Sequence, residues 1–292
     1  MRAVSINDQF AHVGLAAYFR RPVQEDRARV ERLATLLLDD RWPWLPWWAS
    51  YSGVHRRDDR RSIRVGGKNG VAPLIEGMLS PKLARLDLER SKGDKNFSSV
   101  MLDLDRARGD LGYEAPFRLW ITCRSAELPS GKTFDAWLTL AHALVAEVDA
   151  LHATLGAWPT YTMARSDTWL TRVVLDTPTR DYNLGLPDKY QDQISLLDQW
   201  SKKLGRTYAR HPRWGTYLNA EHVAAIGGTD RIRAEVQPAT IEAVGDLTYI
   251  QLTPTIETAM TAEAGEKRRR LEAVMEPILV GNEARRRAVA AG

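Results

Sequence analysis

Short runs of alternating apolar and polar residues recur along this chain, and longer stretches of helical period separate them. His12–Phe19 predicts a strand, and Arg20-Arg21-Pro22 turns it into a helix over about Gln24–Leu38. Val30, Leu33, Ala34, Leu37 and Leu38 share one face of that helix, the spacing of a stripe packed on a core. A helix is expected again over Val71–Leu79, and Pro81 opens a further amphipathic stretch to Leu88. Ser99–Ala107 sets Val100, Leu102 and Leu104 against Asp103 and Asp105, turns through Arg108–Glu114 and returns as the apolar strand Phe117–Cys123, a hairpin. The longest stripe follows. Phe134, Trp137, Leu138, Ala141, Leu144, Val145, Val148, Leu151 and Leu155 predict one helix from Thr133 to about Leu155, lying along a sheet. Beyond it, Trp158–Ala164 and Trp169–Leu175 read as short strands, and Ile194–Leu204 as a helix stopped by Gly205.

Trp214–Pro254 carries the densest local signals. Trp214–Leu218 predicts a strand, Asn219 a helix cap, Ala220–Ile226 about two helical turns, and Gly227 the left-handed residue that stops them. Thr229 is placed to cap a second short helix through Val236. Leu247–Thr253 alternates as a strand does, and Pro254 ends it. A closing helix sets Leu271, Val274, Met275 and Ile278 opposite a charged side, and Arg285-Arg286-Arg287 belongs to its tail.

These elements predict an α+β fold: an antiparallel or mixed sheet with long amphipathic helices packed on it. Residues 1–292 are expected to form a single domain, with the polar residues 91–96 as a candidate hinge. Val13–Leu38 and Phe117–Leu155 each read strand, arginine-containing turn, helix, which points to two related strand–helix halves.

Composition narrows function more than fold. The formal charge is only +4, and basic residues are interleaved with acidic ones, as in Arg56-Arg57-Asp58-Asp59-Arg60-Arg61. A nucleic-acid binder gathers its cations on one stripe, so no nucleic-acid partner is expected. Cys123 is the only cysteine, which excludes a disulfide framework and a cysteine-rich metal site. The first ten residues lack the apolar core of a signal peptide, and charges and histidines break the longest apolar helix. A cytoplasmic protein without a membrane partner is therefore expected. The oddity is a total of ten tryptophans. Trp42, Trp44, Trp47 and Trp48, with Tyr51, Arg56 and Arg57, combine large rigid side chains with charge, the composition of an interaction hot spot. They are the candidate partner-binding residues. A loop folded back to cap the core would have the same composition.

Candidate chemistry is sparse. Residues 126–133, Ala-Glu-Leu-Pro-Ser-Gly-Lys-Thr, approach the phosphate-binding pattern G-x-x-x-x-G-K-[ST] between a predicted strand and a predicted helix. Ala126 stands where a glycine lets the backbone turn its N–H groups onto phosphate. A strand–helix loop with Thr133 as cap is the plainer reading, so no cofactor is expected. A nucleotide-binding enzyme using Lys132 and Thr133 is the alternative. Asp103 and Asp105 share a strand face but lack a third ligand, so no metal site is expected. His142 and His152 read as hydrogen-bonded core histidines and His222 as a helix-surface or capping residue. No catalytic constellation emerges, and the chain is not expected to be an enzyme.

The order of features from Gly215-Thr216-Tyr217-Leu218-Asn219 through His222-Val223-Ala224-Ala225-Ile226-Gly227-Gly228 resembles the bacterial type VI secretion immunity family, formerly a domain of unknown function. The strand Leu247–Thr253, the closing helix to Pro277 and the opening Val13–Phe19 with its Arg20-Arg21-Pro22 turn extend the likeness over roughly residues 10–280. Trp42–Trp48 and Arg56–Gly70 depart from it. The resemblance implies a non-catalytic cytosolic protein that binds and neutralises a cognate secreted effector toxin. Its matching motifs are structural, so it assigns no binding residue.

Overall fold

A computed structural model describes residues 12–19, 21–40, 48–53, 61–66, 69–89, 99–103, 117–124, 132–158, 209, 212–259 and 261–279. The strands are β1 (His12–Phe19), β2 (Trp48–Gly53), β3 (Arg61–Arg64), β4 (Leu83–Glu89), β5 (Ser99–Asp103), β6 (Phe117–Arg124), β7 (Ala150–Trp158), β8 (Gly215–Asn219), β9 (Thr240–Val244) and β10 (Leu247–Gln251). The helices are α1 (Arg27–Leu37), α2 (Ala72–Met78), α3 (Lys132–Glu147), α4 (Ala220–Ala225), α5 (Gly228–Val236) and α6 (Ala262–Val274). The strands form one sheet in the order β3-β2-β4-β5-β6-β1-β7-β8-β10-β9, with every neighbouring pair antiparallel. The fold is α+β.

β1 lies inside the sheet because both its faces are apolar. Val13, Leu15, Ala17 and Phe19 are buried on one side and Ala16 and Tyr18 on the other. The register then carries one row of side chains across nine strands: Glu242, Tyr249, Tyr217, Ala153, Ala17, Leu119, Leu102, Leu86 and Tyr51. This is the face that α2 and α3 cover, with Tyr51 against α2 at one end and the two other tyrosines against α3 at the other. α1 lies beside α3, and Arg32 pairs with Glu147 across them at 2.9 Å. The two predicted strand–helix units are thus spatial neighbours, since β1 pairs with β6 and each strand leads to one of these helices.

Several expectations need correction. The stripe from Phe134 ends as a helix at Glu147; Asp149, with φ of 54°, turns the chain, and residues 150–158 form β7. Leu151 and Leu155 imitate a helical period because residues four apart share one face of a strand as well as of a helix, and the other face of β7 hides the alternation by burying His152 and Thr154. Leu83–Glu89, inside the amphipathic stretch, is a strand with alternating burial, and Arg61–Arg64 is a strand inside the charged excursion. Trp48 opens β2 instead of ending a loop. β9, unread in the sequence, completes a hairpin with β10. Of the predicted strand Trp158–Ala164 only Trp158 is described, as the end of β7; the candidate hinge 91–96, the predicted strand 169–175, the helix 194–204 and the tail arginines lie outside the described residues.

In the Trp214–Pro254 segment the local signals hold. The Asn219 side chain accepts a hydrogen bond from the His222 N–H at 2.8 Å, and Gly227 follows the helix with φ of 90°. Thr229 is not the second cap: α5 already begins at Gly228, directly behind Gly227, so the threonine sits inside its first turn. Gly227→Val is expected to cost at least about 1 kcal/mol, because a β-branched residue is strained at this φ. A melting temperature equal to that of the parent protein would contradict the helix stop.

Candidate functional site

The polar groups worth examining come together under α3. In the cross-sheet row, β8 supplies Tyr217, β10 Tyr249 and β9 Glu242, and α3 lays His142 over them. The two tyrosine rings lie 4.6 Å apart, and the His142 ring meets the Tyr249 ring edge-on at 4.6 Å. Gly215 makes room for this packing, since a Cβ there would meet Tyr249 Cε2 at 2.8 Å.

Burial fixes the protons. Tyr217 and Tyr249 are fully buried, and burial raises both phenols well above their ordinary range, so each hydroxyl keeps its hydrogen. Burial pushes His142 down from 6.5 to about 4, so its ring is neutral at pH 7. The Glu242 carboxylate, 3.6 Å from Nε2, pulls the other way, but it is half exposed and screened by water, so burial prevails. Tyr217 Oη and His142 Nδ1 lie 3.0 Å apart; with the neutral ring's hydrogen on Nε2, facing the Glu242 carboxylate, Nδ1 accepts and the phenol donates. Tyr249 Oη donates to Gln251 Oε1 at 3.2 Å, and Gln251 Nε2 donates to the carbonyls of Thr253 and Pro254. His152 Nδ1 sits 2.7 Å from the Tyr217 carbonyl.

The row therefore runs from a half-exposed carboxylate to a phenol with no access to solvent. It joins helix to sheet, and Tyr217 at its inner end is fully buried. His152 is a hydrogen-bonded core histidine, as expected; His142 is hydrogen-bonded but only partly buried, at the edge of the core. His222 is not on the surface: it is fully buried, its ring 6.1 Å from that of His152, because α4 folds against β8.

The neutral ring has a pH consequence. An unfolded chain takes up this proton near pH 6.5, the folded one only near pH 4. Between those values the unfolded state binds more protons, so stability complete above about 6.5 is lost as pH falls through about 4. In urea titrations from pH 7 to pH 4, His142→Gln is expected to show a shallower loss than the parent protein. Equal slopes would show that His142 does not carry this dependence.

The candidate partner-binding residues are divided. Trp48 is half-buried at the start of β2. Tyr51 rests its ring against Gly77 of α2, and its hydroxyl donates to the Pro73 carbonyl at 3.3 Å, so much of this residue anchors the sheet to α2. Trp42, Trp44, Trp47, Arg56 and Arg57 lie outside the described residues. So do residues 126–131 of the phosphate-loop-like segment; α3 already begins at Lys132, so Thr133 lies in its first turn and is not the expected cap. The strand before that loop, β6, is antiparallel to both neighbours, whereas a phosphate loop normally follows a strand of a parallel sheet. No group of three or more histidine, cysteine or acidic side chains is close enough to hold a metal among the described residues. Nor is any helix there long and apolar enough to cross a membrane.

The fold has a solved counterpart. The T6SS protein PA0821 of Pseudomonas aeruginosa superposes with a TM-score of 0.57 at 14% identity, over 92% of this chain and 74% of that one. Comparison with family models gives no match, and neither does comparison with curated proteins. At this identity the likeness is one of fold. Sequence reading missed Tyr217, Tyr249 and Glu242 as a group because only strand register brings them together; alternation within residues 247–253 was the one signal available.

Proposed function

We propose that this chain is a non-catalytic, cytoplasmic immunity protein that binds and neutralises a cognate effector toxin of a type VI secretion system. The observation that carries the reading is the fold shared with a T6SS protein over nearly the whole chain, in line with the sequence features around Trp214–Gly228. The buried polar row fits the same reading. Its tyrosines are spent on holding α3 to the sheet, which leaves recognition to the surface. Trp42, Trp44, Trp47 and Trp48, with Tyr51, Arg56 and Arg57, are the proposed toxin contacts, because tight binding rests on a few large desolvated side chains ringed by polar ones.

The test is co-expression. The product of the neighbouring gene, taken as the candidate effector, is induced in the cytosol of a sensitive host with and without the chain, and the two products are co-purified. Survival and a stable complex are expected; death at equal expression, with no complex, would overturn the proposal. Alanine at each tryptophan, assayed for melting and affinity separately, locates the contacts. Weaker binding in a folded variant supports the assignment. If each variant that weakens binding also unfolds, the run belongs to the core.

A further inference from the structure

β9 is a sheet edge, and its backbone is oriented for a partner. Val244 and Leu247 flank the two-residue turn at Gly245-Asp246, where Gly245 takes φ of 56°. In such a hairpin the pair flanking the turn is hydrogen-bonded, and bonded pairs recur at every second residue. Val244, Glu242 and Thr240 therefore bond inward to Leu247, Tyr249 and Gln251. The N–H and C=O groups of Ile241 and Ala243 point outward, and among the described residues no strand lies beyond them.

Natural sheet edges are commonly blunted by proline, lysine or a bulge. Within Thr240–Val244 there is none of these, whereas β3 at the opposite edge begins and ends with arginine. α3 backs β9 on one face, and Ala146 Cβ lies 3.2 Å from where a Cβ on Gly245, in the turn after it, would be. Its single charge is Glu242. That carboxylate is half exposed, and no lysine or arginine pairs with it among the described residues.

We infer that the β9 edge is a docking strand. An extended segment of the effector adds to it, bonding the outward backbone of Ile241 and Ala243 and setting a lysine or arginine opposite Glu242. The inference rests on the effector-binding reading above and names a surface for it. A second copy of this chain fits less well: pairing β9 with itself along its whole length centres on Glu242 and opposes two carboxylates.

Affinity for the effector that the co-expression test identifies, measured by titration calorimetry, decides the matter. Ala243→Pro deletes an outward N–H without touching a bond to β10, and Glu242→Lys inverts the edge charge. Each is expected to weaken binding about tenfold or more with far-UV circular dichroism unchanged. Asp230→Lys, the same charge change at an exposed site on α5, is expected to bind like the parent protein. If Ala243→Pro fails to fold, Glu242→Lys decides alone. Parent-like binding by the folded edge variants overturns the docking strand and leaves the effector-binding reading standing. A parent protein that sediments as a dimer, and is made monomeric by Ala243→Pro, makes a second copy the occupant and also overturns it. If the parent protein binds no effector, both the reading and the inference fall.

Discussion

Trp137→Ala is expected to lower the unfolding free energy by about 3–5 kcal/mol, the usual cost of truncating a buried tryptophan. Trp137 lies within α3 and is fully buried. Its ring meets Phe134 at 5.4 Å, and Phe134 in turn meets Trp214 edge-on at 5.8 Å. Trp214 donates from Nε1 to Thr253 Oγ1 at 2.9 Å, and its carbonyl accepts from the Leu252 N–H, so this contact also ties the start of β8 to the end of β10. Removing the indole leaves a cavity bounded by a helix and a hydrogen-bonded sheet, neither of which collapses freely. A typical domain has about 5–15 kcal/mol in total, so the variant should lie close to its unfolding threshold. Urea melts measure the loss. A change under about 1 kcal/mol would mean that α3 does not pack as described.

Gly215→Ala comes next, at about 1–3 kcal/mol. The added Cβ would lie 2.8 Å from Tyr249 Cε2, 2.9 Å from Tyr249 Oη and 3.0 Å from Leu155 Cβ. Tyr249 cannot swing aside, because it is fully buried between Tyr217 and His142 and bonded to Gln251. If that ring is the obstacle, Gly215→Ala should cost less in a Tyr249→Leu background than in the parent, a coupling that a double-mutant cycle reads directly. Strict additivity would place the clash elsewhere.

What could be read in advance follows from how local each signal is. β1, the β5–β6 hairpin, the Asn219 cap and the Gly227 stop depend on residues within a few positions of one another, and all were legible. β7 was not, because a strand buried on both faces loses the alternation that marks strands, and Asp149 turned the chain where a glycine would have signalled it. β3 and β9 are edge strands with little to bury, so their patterns are weak. The Glu242–Tyr249–Tyr217 row spans three strands, and its closing His142 comes from a helix more than seventy residues earlier than Tyr217. Register alone assembles it, and register is not written in any one segment. The tryptophan run stood out by composition, yet composition does not separate a capping loop from a contact surface; Tyr51, three residues beyond it, is packed against α2.

As proposed, this chain acts by occupying a toxin and not by turning anything over. The direct measurement is the residual activity of a fixed amount of purified effector as the chain is added. Stoichiometric binding predicts a straight decline that reaches zero at one equivalent of chain and does not deepen with incubation time. Complete inactivation by a small fraction of an equivalent, progressing with time, would show catalysis, and full effector activity in excess chain would show that the two proteins are not partners.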